Sequence, residues 1–147
     1  MPPSPRRPLI LGSTSPYRRA LLERLRIAFQ VVAPEVDETP IDGESPRDLA
    51  CRLALAKARA VARLYPQAVV IGSDQVADLD GEPLGKPLTH ARAVAQLQAM
   101  RGRKVVFQTA VAVVCAEAGF CEQDLAPVEV QFRMLTDAEI EAYLQAE

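Results

Sequence analysis

The chain is organised around Ala68-Val69-Val70-Ile71-Gly72-Ser73-Asp74-Gln75-Val76-Ala77. Both faces of this run are apolar, so it reads as a central strand covered on both sides. Asp74 breaks the pattern. A carboxylate inside such a strand loses hydration worth several kcal/mol unless a cation or a donor compensates it. Either Asp74 is a functional group that waits for positive charge, or the strand ends near Gly72 and Asp74 caps a turn.

Working outward from this strand, the order of elements is legible. Leu9–Gly12 reads as a short strand, followed at once by Ser13-Thr14-Ser15-Pro16. Ser15 caps a helix with Pro16 in its first turn, predicted to run to about Ile27. Phe29–Ala33 is a second strand and Pro34–Glu44 an acidic loop. Ser45-Pro46 repeats the cap-plus-proline start, and that helix runs to about Tyr65, where Pro66 stops it. The central strand extends over Ala68–Leu79, and Asp80-Gly81 turns it back towards Leu84. Thr89 opens a third helix that ends at Gly102. Lys104–Ala116 and Phe120–Leu135 form two long strands joined at Glu117-Ala118-Gly119. Thr136-Asp137-Ala138-Glu139 is a capping box for a last helix. Strands alternating with helices, then a long hairpin, predict a mixed α/β sheet flanked by helices.

Composition restricts what such a chain does. Its 147 residues suffice for one ordinary domain, so residues 1–147 are expected to form a single one. Apolar residues make up 49% and charged residues 24%, the balance of a soluble globular protein. A net charge of −2 argues against bulk binding to nucleic acid or membranes. No apolar run approaches the twenty residues of a transmembrane helix. The start, Met1 to Pro8, is basic, but only Leu9–Gly12 follows it, too short for a secretory signal. Cys51, Cys115 and Cys121 form no metal-type pair, so they read as free thiols of a cytoplasmic protein.

Positive charge is placed where Asp74 needs it. At about 100° per residue, Arg18 falls between Leu25 and Leu22 on the apolar arc of the first helix. With the hydroxyls of Ser13 and Ser15 and the amides of the helix start it makes a phosphate cradle, or else it snorkels over the core edge. Lys57 lies in the apolar arc of the second helix, with Arg52, Arg59 and Arg63 on the opposite side. An inward lysine needs an anion, Asp74 or a phosphate, unless its stem merely packs along the core. Lys86, after the hairpin, can reach the same cleft; alone it is an ordinary surface lysine. Glu35, Asp37 and Glu38 follow the second strand. They suit a hard divalent ion shared with a phosphate ester, or form a solvated loop. His90 has no partner pattern, and the chain has neither a Walker loop nor a dinucleotide fingerprint.

Five segments taken together resemble the successive motifs of the Maf family. They are Leu9-Ile10-Leu11-Gly12-Ser13-Thr14-Ser15-Pro16-Tyr17-Arg18-Arg19, Glu35-Val36-Asp37-Glu38, Leu55-Ala56-Lys57-Ala58, Ile71-Gly72-Ser73-Asp74-Gln75 and Leu84-Gly85-Lys86-Pro87. The resemblance implies a two-lobed ITPase-like (Maf/Ham1) fold with a central cleft, and a nucleoside triphosphate pyrophosphatase. Maf proteins acting on dTTP and UTP usually carry arginine at the place of Tyr17 and threonine at that of Gln75. This chain is more similar to the YceF-type branch, which hydrolyses 7-methyl-GTP. On that likeness Asp74 is the general base. Ser13, Arg18, Lys57 and Lys86 neutralise the triphosphate, and Tyr17 and Gln75 read the base. Glu35, Asp37 or Glu38 hold Mg or Mn. The implied partner is a small nucleotide, with no nucleic acid and no membrane, and a homodimer is admitted. Family members continue for several dozen residues past Glu147, so the carboxyl-terminal part of the fold is expected to be missing. A catalytically weak nucleotide-binding or cell-division regulatory protein is the alternative this leaves open.

Overall fold

The computed structural model describes residues 7–84 and 89–146. The elements in chain order are β1 (Leu9–Gly12), α1 (Pro16–Glu23), β2 (Gln30–Val32), α2 (Pro46–Leu64) and β3 (Val69–Leu79). They continue with β4 (Glu82–Leu84), α3 (His90–Met100), β5 (Lys104–Cys115), β6 (Phe120–Gln131) and α4 (Asp137–Gln145). The sheet order is β2-β1-β3-β5-β6, with β4 also paired to β3. β1 lies parallel to both β2 and β3, whereas β5 and β6 run antiparallel. The sheet is therefore mixed, as the element order predicts.

The helix starts follow from local chemistry. The hydroxyls of Ser15, Ser45, Thr89 and Thr136 each accept a hydrogen bond from a backbone N–H three residues on. Glu139 completes the box by accepting from the Thr136 amide at 3.0 Å. Each such cap is worth about 1 kcal/mol. At the β3–β4 hairpin Asp80 and Gly81 have φ of 54° and 85°. Those left-handed angles suit a two-residue turn matched to the twist of the strands.

Three boundaries differ from the sequence expectation. α1 ends at Glu23 rather than near Ile27, and Arg26 with φ 56° turns the chain out of the helix. β2 contracts to three residues, and β6 stops at Gln131, short of Leu135. β3 is central and unbroken through Asp74, which removes the reading of Asp74 as a turn cap. It is not covered on both faces along its whole length, however. Val70, Gly72, Asp74 and Val76 are buried, whereas Ile71 and Ser73 are half-buried and Gln75 is exposed.

The reason is that the two faces are covered at opposite ends. Val70, Val76, Ala110, Ala112 and Val114 pack beneath α2 in the larger cluster. Leu79, Val105 and Met100 form a smaller cluster at the other end, with Leu97 and Phe132 against them. The cleft opens beside α2, where Leu49, Leu53 and Val76 of the larger cluster line it together with Leu84, which packs on the smaller one.

α2 packs tightly because its sheet-facing ridge is alanine: Ala50, Ala54, Ala58 and Ala62 are all buried. Across from it Gly72 has no side chain. A Cβ there would meet the Ala54 carbonyl and lie 2.6 Å from the Ala58 amide and 2.9 Å from its Cβ. Gly72→Ala is accordingly expected to push α2 off β3 and cost ~1–3 kcal/mol, the usual penalty of overpacking. Thermal melting will detect it as a fall of several degrees. An unchanged melting temperature would show that the helix can shift freely.

Candidate active site

The close approach of α2 to β3 has a chemical consequence. One ridge of α2 runs Leu49, Leu53, Lys57, Val61, so Lys57 occupies a place its neighbours fill with apolar side chains. Its ammonium lies 2.9 Å from Oδ1 of Asp74 and 3.0 Å from Oε1 of Glu38. Lys57 and Asp74 are 8% and 6% exposed, so each charge is desolvated and depends on the other. The inward lysine has therefore found its anion, and the packed-stem alternative is excluded.

Two chambers meet at this triad. One, of about 250 Å3, is polar and is lined by Ser13, Thr14, Ser15, Arg18, Glu38 and Lys57 among others. The second, of about 450 Å3, has walls from Leu49, Leu53, Val76 and Leu84, with Asp74, Gln75 and Glu38 at its border. Glu38 lines both. Along one cleft, then, a hydroxyl- and cation-lined end adjoins an apolar end, with a lysine and two carboxylates between.

Part of the amide cradle expected at the helix start is used up locally. The Ser15 amide donates to Ser13 Oγ at 3.0 Å, and the Arg18 amide to Ser15 Oγ at 3.3 Å. Those amides are spent within the turn. Each serine oxygen that accepts one hydrogen bond keeps its own O–H to donate. Ser13, Ser15, Arg18 and Lys57 are thus gathered where an anion would sit.

The other candidates fall in varied places. Gln75 borders the apolar chamber, but alternation along β3 turns its side chain to the opposite face from Asp74. There its Nε2 donates to Oγ1 of Thr109, its partner across β5, at 2.9 Å. Tyr17 lines neither chamber and is 73% exposed. Glu35 is exposed on the loop after β2. Asp37 is occupied by its own turn: Oδ1 accepts from the Thr39 amide at 2.9 Å and from its hydroxyl at 2.6 Å. Those two bonds hold its carboxyl below the ordinary range. Lys86 lies outside the described residues.

Glu35, Asp37 and Glu38 are thus not drawn together. Among the described residues no group of three or more His, Cys, Asp or Glu is placed to hold a metal ion. Glu38 and Asp74 do converge on one ammonium. Of the two, Glu38 lines the polar chamber, and a hard carboxylate there fits a divalent ion that takes its other ligands from phosphate and water.

Two residues that the sequence reading passed over organise this loop. Arg52 binds Glu44 through Nε at 2.6 Å and Nη2 at 3.0 Å, and donates to the Thr39 carbonyl at 3.2 Å. Helical phase alone puts Arg52 on the polar side of α2, and it gives no sign of a loop folded over that side. The guanidinium holds the Glu44 carboxyl below its ordinary 4.5, and Glu44 in turn raises Arg52. A depressed carboxylate contributes stability above its unfolded value and loses it as pH falls through the lower, folded one. The clamp is therefore whole at neutral pH and opens only in acid.

A family described as Maf-like protein matches residues 8–147. The chain belongs to the Maf family. It is 71% identical over 141 residues to the 7-methyl-GTP pyrophosphatase of Albidiferax ferrireducens, covering 96% of this chain and 71% of that protein. The protein of the same name from Polaromonas is 72% identical, with 96% and 64% covered. The one from Methylobacillus flagellatus is 56% identical, with 95% and 73% covered. The chain thus spans roughly two thirds to three quarters of the length of these relatives. Among solved structures, a HAM1 protein from Coxiella burnetii superposes with a TM-score of 0.59 at 18% identity, over 85% of this chain and 72% of that one. That likeness carries the fold, and it agrees with the Ham1-like architecture expected from the Maf motifs. Among the described residues no helix is long and apolar enough to cross a membrane.

Proposed function

We propose that this Maf protein is a nucleoside triphosphate pyrophosphatase that hydrolyses 7-methyl-GTP to the monophosphate and pyrophosphate. The observation that carries the reading is the placement of Glu38, Lys57 and Asp74 at the junction of a polar and an apolar chamber. A triphosphate suits the first and a base the second, which leaves the α-phosphorus beside the triad. The names of the similar proteins support the same substrate.

The chemistry follows from charge. In the free protein Lys57 is shared by two carboxylates. Phosphate oxygens entering beside Ser13 and Arg18 compete for the ammonium, and Asp74, relieved of it, can take a proton from water. The water oxygen bonds to the α-phosphorus as the bond to the bridging oxygen of the β-phosphate breaks, and pyrophosphate leaves. Phosphoryl transfer asks a protein mainly for positioning and charge neutralisation. Glu38, with phosphate and water completing the ligands, would hold Mg or Mn, which would supply further neutralisation of the phosphate charge. Lys86 is assigned to the phosphates from its motif alone.

At the base end, N7-methylation makes guanine cationic. Among the described residues, those lining the apolar chamber include the carboxylates of Glu38 and Asp74 and neither lysine nor arginine, which favours a cationic ring. Gln75, whose side chain turns to the opposite face of β3 and donates to Thr109, is assigned to the base from its motif alone. Tyr17, outside both chambers, has no part in this reading. The enzyme is taken as cytoplasmic and needs neither nucleic acid nor membrane.

Pyrophosphate release from 7-methyl-GTP, GTP, dTTP and UTP, each with Mg and with Mn, tests the proposal. The fastest turnover is expected with 7-methyl-GTP. Preference for a pyrimidine triphosphate, or no release from any of the four, would sink it.

A further inference from the structure

Thirteen residues, 33–45, separate β2 from α2 without a helix or strand of their own, and all but the first make up the 34–45 loop. A connection of that length inside a compact fold needs either a function or a tether. This one has two local turns. Asp37 accepts twice from Thr39, and further on the Glu44 amide donates to the Ile41 carbonyl at 2.9 Å. Glu38 and Thr39 of the first turn, and Pro40 between the two, all border the cleft.

A single side chain joins the two turns. The guanidinium of Arg52 forks onto both oxygens of Glu44 and reaches the Thr39 carbonyl, one residue from Glu38. Glu44 is held further by the Ile41 amide, which donates to Oε1 at 3.2 Å. Arg52 itself lines neither chamber. Its reach ends at the loop, and the loop carries Glu38 to 3.0 Å from Lys57.

We propose that Arg52 is a positioning residue that clamps the 34–45 loop onto α2 and so sets Glu38 against Lys57 in the catalytic cleft. The role rests on the pyrophosphatase reading only for its effect on turnover; the clamp itself is independent of it. Lysine cannot replace arginine here, because a point ammonium does not reproduce a planar fork that satisfies a carboxylate and a carbonyl together. An arginine that merely stabilised the protein would act with or without Glu38. One that positions Glu38 loses its effect when Glu38 is removed.

Two double-mutant cycles on the full chain test this. In the first, read by thermal melting, Glu38→Gln is made in the wild-type and in the Arg52→Lys background. Breaking the Glu38–Lys57 pair is expected to lower the melting temperature by about 1–3 °C in the wild type. In Arg52→Lys, where the pair is already lost, it should change nothing. Equal shifts in both backgrounds would overturn the proposal. In the second cycle, Arg52→Lys is expected to reduce kcat/KM for 7-methyl-GTP by roughly 10- to 100-fold, the scale of a misplacement near 1 Å. In the Glu38→Ala background the same change should cost less than about 2-fold. A full loss there would also overturn it. A wild-type chain that hydrolyses no triphosphate would defeat the pyrophosphatase reading alone, and the melting cycle would still decide the role of Arg52.

Discussion

Asp74→Asn is expected to lower pyrophosphate release by about 10²–10⁴-fold, the usual contribution of a general base, and to leave the fold in place. Asparagine has nearly the shape of aspartate, and its Oδ1 can still accept from Lys57. Lys57 also keeps a second anion in Glu38, so no buried charge is stranded. What disappears is a group in the apolar strand that can take a proton from water at the junction of the chambers. Nucleotide binding should survive, because Ser13, Arg18 and Lys57 are untouched. Single-turnover rates with 7-methyl-GTP, beside binding of the same nucleotide, measure the two separately. Near-normal turnover in the variant would remove Asp74 from the chemistry and leave it a structural partner of Lys57.

Lys57→Ala should act on stability as well as on turnover. It leaves Asp74, 6% exposed, without the cation 2.9 Å away. Removing one partner of a buried pair costs ~3–5 kcal/mol, because the remaining charge is stranded away from water. A domain has only ~5–15 kcal/mol to lose, so unfolding in urea should shift markedly. Triphosphate binding and turnover are expected to fall together, since the same ammonium lines the polar chamber assigned to the triphosphate. The double change Lys57→Met with Asp74→Leu separates the two roles. Replacing both charges by apolar side chains of similar volume is often neutral or stabilising, so stability should return while activity stays lost. If Lys57→Ala alone melts like the wild type, water reaches Asp74 freely and the pair is not the buried one described.

Several parts of this site were legible in the chain before any tertiary contact was known. Asp74 stood out as a carboxylate in an apolar strand, and Lys57 as a cation in the apolar arc of a helix. Each is an error by the local rule of its own element, and the two errors cancel across the α2–β3 contact. The helix caps were equally plain, since Ser-Pro and the Thr136–Glu139 box act within three residues. The end of α1 was less so, because Leu25 and Ile27 continue an apolar pattern that the structure leaves 62% and 52% exposed.

The five motifs implied a set of residues, but not how the set divides. Glu35, Asp37 and Glu38 are neighbours in sequence, and successive loop residues point different ways, so only Glu38 enters the cleft. Tyr17 and Arg18 are adjacent, and helical phase sends only Arg18 to the polar chamber. Side-chain direction in a loop or at a helix start depends on turns of one or two residues. The hydrogen bonds that set those turns, such as those from Thr39 to Asp37, are too local to leave a periodic signal.

The sequence by itself determined the element order, the helix starts, and the two misplaced charges that must meet, because each rests on propensity or burial within one element. Tertiary structure alone decided how closely they meet. The alanine ridge of α2 on Gly72 sets the depth at which Lys57 finds Asp74. The Arg52 clamp decides that Glu38 joins them, across a loop whose path no periodicity encodes. The same packing covers the two faces of β3 at opposite ends, and the cleft opens beside α2, between Leu53 and Val76 of one cluster and Leu84 at the edge of the other.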